Sequence, residues 1–317
     1  MSDVVQLLLG LAVLAVGADI LVRGAVALAA LLRIPHLIVG LTIVSFGTSA
    51  PELVVSLQAA LKGSGGIAIG NVVGSNIANV LVVLGLPSLI RATALDSRGS
   101  NRNMLFMLAV TFLFIGLAWD GTLSRLDGLL MLALFALFFA GQAAGTRSAR
   151  RDGVAPETDE SGKALRSPWI AGLLALGGLV SLPFAADATV DGALGLAERL
   201  GVSETAVGVT IVALGTSLPE LAAAVAAAVR GHSAVALGNV IGSNIFNILA
   251  ILGITASVVP VAVPMDFFHL EMWAMLAVTL LLVPFVLMSW PIGRLTGALM
   301  AVAYVGVVAA FLTVPGY

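Results

Sequence analysis

Two motif pairs recur in this chain at one fixed offset of 168 residues, and no other feature limits its possible folds so strongly. Residues 37–56 read LIVGLTIVSFGTSAPELVVS, and residues 205–224 read TAVGVTIVALGTSLPELAAA. Residues 69–85, IGNVVGSNIANVLVVLG, are answered at 237–253 by LGNVIGSNIFNILAILG, so that 22 of 37 paired positions are identical. Each copy carries one glutamate, Glu52 or Glu220, in an otherwise apolar stretch. A carboxylate there is costly unless a cation or proton offsets its charge.

The apolar surroundings are those of a membrane protein, since 60% of residues are hydrophobic and only 10% charged. The apolar runs are long and do not alternate, which points to helices and not to a β-barrel. Ten spans are predicted, at 4–22, 37–60, 66–88, 104–120, 126–143, 169–187, 205–229, 234–256, 268–290 and 293–313. The first motif pair falls in the spans 37–60 and 205–229, the second in 66–88 and 234–256. Residues 144–167 form the one long polar stretch and read as a flexible linker between two five-helix halves, 1–143 and 168–317. The N-terminus has no basic leader segment and reads as the start of the first helix. A net charge of −2 gives no nucleic-acid footprint, and the absence of cysteine removes thiolate metal sites and thiol catalysis.

With the N-terminus outside, the inner loops hold Arg23, Arg33, Arg91, Arg98, Arg102, Arg147, Arg150, Arg151, Lys163, Arg166, Arg230 and Arg294. The outer loops hold only Lys62, Arg125 and Arg199. That bias predicts both termini outside and a cytoplasmic linker. Five is odd, so equivalent helices of the two halves cross in opposite directions. Inverted-topology repeats of this kind are a hallmark of secondary transporters, whose site lies where the repeats meet.

Pro51 lacks a backbone N–H, and its ring clashes with the carbonyl of Gly47. A helix break that frees carbonyls around Ser45–Gly47 is therefore expected, with the same effect of Pro219 around Ala213–Gly215. Ser45, Thr48, Ser49, Glu52 and Ser56 share one helical face, as do Ala213, Thr216, Ser217, Glu220 and Ala224. On the following spans Asn71, Ser75 and Asn79 make a polar stripe, repeated by Asn239, Ser243 and Asn247. Gly70 and Gly74, like Gly238 and Gly242, allow close helix approach. Polar stripes and small residues also serve plain helix packing, but here they coincide with the breaks and with the duplication. The inventory is of oxygen ligands only, which suits Ca²⁺ or Na⁺ and disfavours transition metals. No HExxH pattern or motif histidine suggests an enzyme. His36, His232 and His269 read as surface residues.

At GTSAPE (47–52), GTSLPE (215–220), GNVVGSNIAN (70–79) and GNVIGSNIFN (238–247), the chain resembles the cation/calcium exchanger superfamily, and within it the prokaryotic sodium/calcium antiporters. The resemblance covers the whole chain and implies an all-α integral membrane fold of ten helices in two inverted repeats of five. It implies Glu52 and Glu220 as the carboxylates shared by Ca²⁺ and Na⁺. Thr48, Ser49, Thr216 and Ser217 would add hydroxyl or carbonyl oxygens, and Ser45 and Ala213 backbone carbonyls. Ser75 and Ser243 would complete sites on the facing helices, with Asn79 and Asn247 at the centre. Aspartate stands at position 247 in many prokaryotic and all potassium-dependent relatives, whereas potassium-independent members use asparagine, so K⁺ is expected to be neither required nor transported.

The expected function is electrogenic exchange of Ca²⁺ for Na⁺ across a prokaryotic inner membrane by alternating access, without a cofactor and in the direction of Ca²⁺ export. A monomer is the expected state. The first and sixth helices are expected to slide against the motif-bearing block. Asp19 and Asp187, also 168 residues apart, read as solvated helix ends. A Ca²⁺/H⁺ antiporter of the same fold is the nearest alternative, and a cation channel a more distant one.

Overall fold

A computed structural model describes residues 3–32, 34–95, 99–151, 167–199, 213–268 and 270–313. The linker from 152 to 166, the opening of the second copy at 205–212, and Arg33, Arg98, Lys163, Arg166 and His269 lie outside these residues. Helix α1 (Asp3–Leu32) is followed by the bent pair α2 (His36–Thr48) and α3 (Ala50–Leu61), then α4 (Gly65–Ile90), α5 (Ser100–Leu117) and α6 (Arg125–Arg151). The later elements are α7 (Pro168–Arg199), α8 (Ala213–Thr216), α9 (Leu218–Arg230), α10 (Ser233–Val258), α11 (Glu271–Leu287) and α12 (Arg294–Thr313).

Seven of the described helices are long and apolar enough to cross a membrane, and the pair α2–α3 makes an eighth if counted as one span. Helix α10 is buried from Val235 to Gly253 and forms the centre of the protein, with α4 beside it. Helices α1, α6, α7 and α12 turn residues such as Val16, Leu137, Phe184 and Val302 outward, as lipid-facing helices do. Among the described residues, strand structure is limited to an antiparallel contact of β1 (Thr122–Leu123) with β2 (Val261–Ala262) and a bridge from Thr93 to Ile292. These contacts tie loops together and supply partners for backbone groups that no helix satisfies.

Several helices outrun their predicted ends because charged residues do not stop them. Helix α1 continues past residue 22 to Leu32, since Asp19 and Arg23 pair one turn apart on its surface at 3.1 Å. Pro35 marks the true stop. Helix α7 likewise runs through Asp187 and Asp191 to Arg199. The stretch 144–151, expected as linker, is the last part of α6, where alanine and arginine are good helix formers and no proline intervenes. Asp19 is therefore not a solvated helix end: it lies mid-helix and accepts from Arg230 Nε at 2.6 Å, joining α1 to the end of α9. His36 is also not a surface residue. It is buried at the start of α2, with its ring edge-on to His232 at 5.5 Å.

Helix α1 packs along α7 over most of its length. Glycine permits that approach: a Cβ on Gly24 would fall 2.3 Å from the backbone nitrogen of Ala175. The same logic seats α2 against α10, where a Cβ on Gly242 would lie 2.7 Å from Leu41 Cα. Gly74 meets no such neighbour among the described residues, and the segment that would repeat α2 there lies outside them.

Candidate functional site

The break in the first copy is a 47° bend between α2 and α3. Ser49 is its pivot, with φ −85° and ψ 11°, and Ser217 repeats these angles at −87° and 4°. Pro51 and Pro219 sit in the first turn of the new helix, where a missing N–H removes no bond. The prolines thus start a second helix instead of kinking one. Ser45's carbonyl keeps an intrahelical partner, the Ser49 N–H at 3.1 Å, while the carbonyl that Pro51 cannot serve is that of Gly47. Glu52 and Glu220 follow in the first turns, where the positive end of the helix dipole favours a carboxylate.

Both glutamates are 1% exposed, and the Ser49 hydroxyl at the break before Glu52 reaches Glu220. Neither pairs with Arg, Lys or His among the described residues. Ser49 makes no capping bond to its own helix; its hydroxyl donates to Glu220 Oε1 at 2.7 Å and lies 3.1 Å from Ser243 Oγ. Thr48 Oγ1 lies 3.4 Å from both Asn239 Oδ1 and the Ser45 carbonyl. In the second copy the Thr216 and Ser217 hydroxyls have no hydrogen-bond partner among the described residues. Ala213 opens α8 at the edge of the described residues.

The polar stripes brace these breaks. Asn71 Nδ2 donates to the Glu52 carbonyl at 3.2 Å and to Ser56 Oγ at 2.9 Å, and Asn239 Nδ2 donates to the Glu220 carbonyl at 3.3 Å. Asn71, Asn239 and Ser56 are therefore supports of the glutamate-bearing helices. At the far end of each stripe a π-helical turn begins, at Asn79 on α4 and at Asn247 on α10. Such turns are frequent at functional sites. Asn79 Nδ2 donates to Asn244 Oδ1 at 3.0 Å, and Asn247 Nδ2 donates to Asn76 Oδ1 at 3.0 Å. Asn76 and Asn244 complete the arrangement by each donating to the other's backbone carbonyl, at 3.4 and 3.3 Å. The stripe pattern missed these two residues, although both recur at the 168-residue offset inside GSN.

Seven buried oxygens of this cluster have no hydrogen-bond partner among the described residues: Glu52 Oε2, Glu220 Oε2, Ser75 Oγ, Thr216 Oγ1, Ser217 Oγ, Asn79 Oδ1 and Asn247 Oδ1. Buried polar atoms are almost always satisfied, so this concentration needs an explanation. All seven belong to residues predicted as ligands. A hard cation supplies what such a set lacks: positive charge for two carboxylates and a shared partner for the neutral oxygens. An apolar or anionic ligand would leave the oxygens unsatisfied.

The family model described as sodium/calcium exchanger protein matches residues 2–143 and 170–313. The sodium/calcium exchanger MaX1 of Methanosarcina acetivorans is 34% identical, over 98% of this chain and 97% of its own. Inner membrane protein YrbG of Escherichia coli is 38% identical, over 90% and 87%. Among solved structures, the sodium-calcium exchanger NCX_Mj soaked with Na⁺ and Sr²⁺ superposes with a TM-score of 0.83 at 32% identity, covering 97% of both chains. The fold is thus that of NCX_Mj, an all-helical multi-pass membrane protein. The chain belongs to the sodium/calcium exchanger family.

Proposed function

We propose that this protein is a Ca²⁺ antiporter that exchanges Ca²⁺ for Na⁺ through the oxygen cluster around Glu52 and Glu220. The observation that carries the reading is a set of seven unpartnered buried oxygens, two of them on carboxylates that no basic side chain neutralises among the described residues. Thr48, Ser49, Ser75, Ser243, Thr216, Ser217, Asn79 and Asn247 contribute neutral oxygens, with the second lone pairs of the Ser45 and Ala213 carbonyls. The relatives named for sodium/calcium exchange support the choice of ions.

The coupling follows from charge. Two uncompensated carboxylates cannot cross a low-dielectric barrier cheaply, so the empty site stays on its side of the membrane. One Ca²⁺, or several Na⁺, offsets the charge and permits the change of access. Exchange in place of leak is the consequence. If the Na⁺ charge carried exceeds that of Ca²⁺, each net charge couples to about 2.3 kcal/mol per 100 mV, and Na⁺ entry drives Ca²⁺ out. The reading includes ten spans in two inverted repeats, 1–143 and 168–317, with the linker cytoplasmic and α1 and α7 as the moving pair. With asparagine at both 79 and 247 the site has no third carboxylate, and K⁺ has no role in it.

The test is ⁴⁵Ca²⁺ uptake by proteoliposomes loaded with Na⁺, with and without external K⁺. Uptake that follows the outward Na⁺ gradient and ignores K⁺ is expected. Uptake driven by a pH gradient in the absence of Na⁺ would instead assign the counter-ion as H⁺.

A further inference from the structure

We propose that Asn76 and Asn244 are positioning residues that hold Asn79 and Asn247 with their amide oxygens facing the cation site. The proposal rests on the site described above and concerns what orients its neutral ligands. An asparagine amide has two faces: Oδ1 accepts, while Nδ2 carries two donor hydrogens. Rotation of χ2 exchanges them, and the torsion is broad and nearly two-fold. A cation attracts one face and repels the other, so an unrestrained asparagine makes a poor ligand.

Here the four amides restrain one another. The anchors are backbone carbonyls, which cannot flip. Asn244 O accepts from Asn76 Nδ2 at 3.4 Å, and Asn76 O accepts from Asn244 Nδ2 at 3.3 Å. With both nitrogens committed, Oδ1 of Asn76 and of Asn244 can only accept, and each takes a hydrogen from the ligand asparagine of the opposite helix at 3.0 Å. Oδ1 of Asn79 and of Asn247 is thereby turned away from the cross and left buried without a partner among the described residues. Flipping Asn247 would set two amide oxygens against each other at the distance of the present hydrogen bond. Relieving that contact by flipping Asn76 would set its Oδ1 against the carbonyl of Asn244. All four residues are no more than 2% exposed, so water cannot absorb the mismatch.

The cross also places ligand and positioner on different helices. Asn76 on α4 orients Asn247 on α10, and Asn244 on α10 orients Asn79 on α4. Each ligand's geometry thus depends on the register of α4 against α10.

Outer partners of this kind typically contribute ten- to a hundredfold in metal affinity, so Asn76→Ala is expected to raise the Ca²⁺ KM roughly ten- to hundredfold. Equilibrium ⁴⁵Ca²⁺ binding to the purified protein should weaken by the same factor. Asn76→Leu fills the volume without the hydrogen bonds and is expected to match Asn76→Ala; recovery with leucine would show a packing role and overturn the proposal. In an Asn247→Ala background, adding Asn76→Ala is expected to change KM by no more than about twofold, because its effect runs through Asn247. Full additivity overturns the proposal. The Asn244/Asn79 pair supplies an independent cycle with the same expectations should a variant at 76 fail to fold. If Asn247→Ala itself leaves Ca²⁺ binding unchanged, the site assignment fails; if Asn247→Ala weakens binding but Asn76→Ala does not, the positioning role alone fails.

Discussion

Replacing Glu52 by glutamine removes one negative charge from the centre of the protein while keeping the shape of the side chain. Because Glu52 and Glu220 are each 1% exposed, solvent does little to screen them. Two unit charges about 4 Å apart interact by about 4 kcal/mol at an effective dielectric constant near 20, so a divalent cation and a carboxylate gain about 8 kcal/mol. Allowing about half of that for the amide oxygen that glutamine still offers, the net loss is about 4 kcal/mol, or roughly a thousandfold in the Ca²⁺ Kd. For Na⁺ the same reasoning gives about 2 kcal/mol, roughly thirtyfold. The variant should therefore weaken Ca²⁺ far more than Na⁺. Equilibrium ⁴⁵Ca²⁺ binding to purified protein, with Na⁺ as competitor, measures both constants, and flux in Na⁺-loaded proteoliposomes should fall to background. Glu220→Gln is expected to behave likewise. A Glu52→Gln protein that binds Ca²⁺ within tenfold of its parent, or that weakens Ca²⁺ and Na⁺ by equal factors, would refute the charge argument.

Ser49→Ala removes the hydroxyl that donates to Glu220 Oε1 at 2.7 Å. A hydrogen bond to a charged group contributes about 1.5–3 kcal/mol, so the Ca²⁺ KM should rise roughly ten- to hundredfold, and an unchanged KM would deny the bond any part in binding. Gly242→Ala puts a methyl 2.7 Å from both Leu41 Cα and Ser45 Oγ, forcing α2 from α10. A destabilisation of about 1–3 kcal/mol is expected, read as a fall in Tm of the purified protein; an unshifted Tm would show that the two helices are not tightly seated. Asp19 and Arg230 are partly exposed, so their pair contributes about 0.2–1 kcal/mol and Asp19→Asn should barely change Tm. The same positions serve as a motion probe, since the chain has no cysteine of its own. Asp19→Cys with Arg230→Cys, bridged by a cleavable bis-maleimide, should stop exchange until the bridge is cut, and continued uptake in the bridged protein would exclude movement of α1 against α9.

What could be read in advance and what could not divide along a physical line. Glu52, Glu220 and the serines before their prolines were legible because local chemistry sets them: a carboxylate in an apolar run and a Ser-x-Pro-Glu break announce themselves without knowledge of neighbours. The stripe of Asn71, Ser75 and Asn79 was legible from helical periodicity. Asn76 was not, because it stands off that stripe, and its partner is fixed by how α4 crosses α10. The π-helical turns at Gly40–Val44, Asn79–Val83 and Asn247–Leu252 left no compositional mark either. Helix ends were misplaced wherever a charge was read as a boundary, as at Asp19 and Asp187; a charge on a helix face needs a partner or solvent, not the end of the helix.

The two copies are close in chemistry yet differ in hydrogen bonding, and that difference bears on mechanism. Ser49 is closed on Glu220, whereas Ser217, its counterpart, has a hydroxyl without a partner among the described residues. Asp19 is paired with Arg230, whereas their counterparts Asp187 and Lys62 form no pair with each other. Where the residues match, as Ser49 and Ser217 do, the contrast lies in conformation; at the ion pair the side chain differs as well, arginine at 230 against lysine at 62. Under the proposed inverted repeat, a second state with the roles of the copies exchanged would make equivalent contacts, and its free energy would lie near that of the first. A carrier that must visit both states needs such a balance, because an ion can shift an equilibrium only by its difference in affinity for the two. On the polar face of the glutamate-bearing helices, Ala213 for Ser45 and Ala224 for Ser56 remove two hydroxyl donors from one half. At about 0.5–1.5 kcal/mol for each hydrogen bond, they bias the two states by an amount that the binding of a cation to two buried carboxylates can overcome.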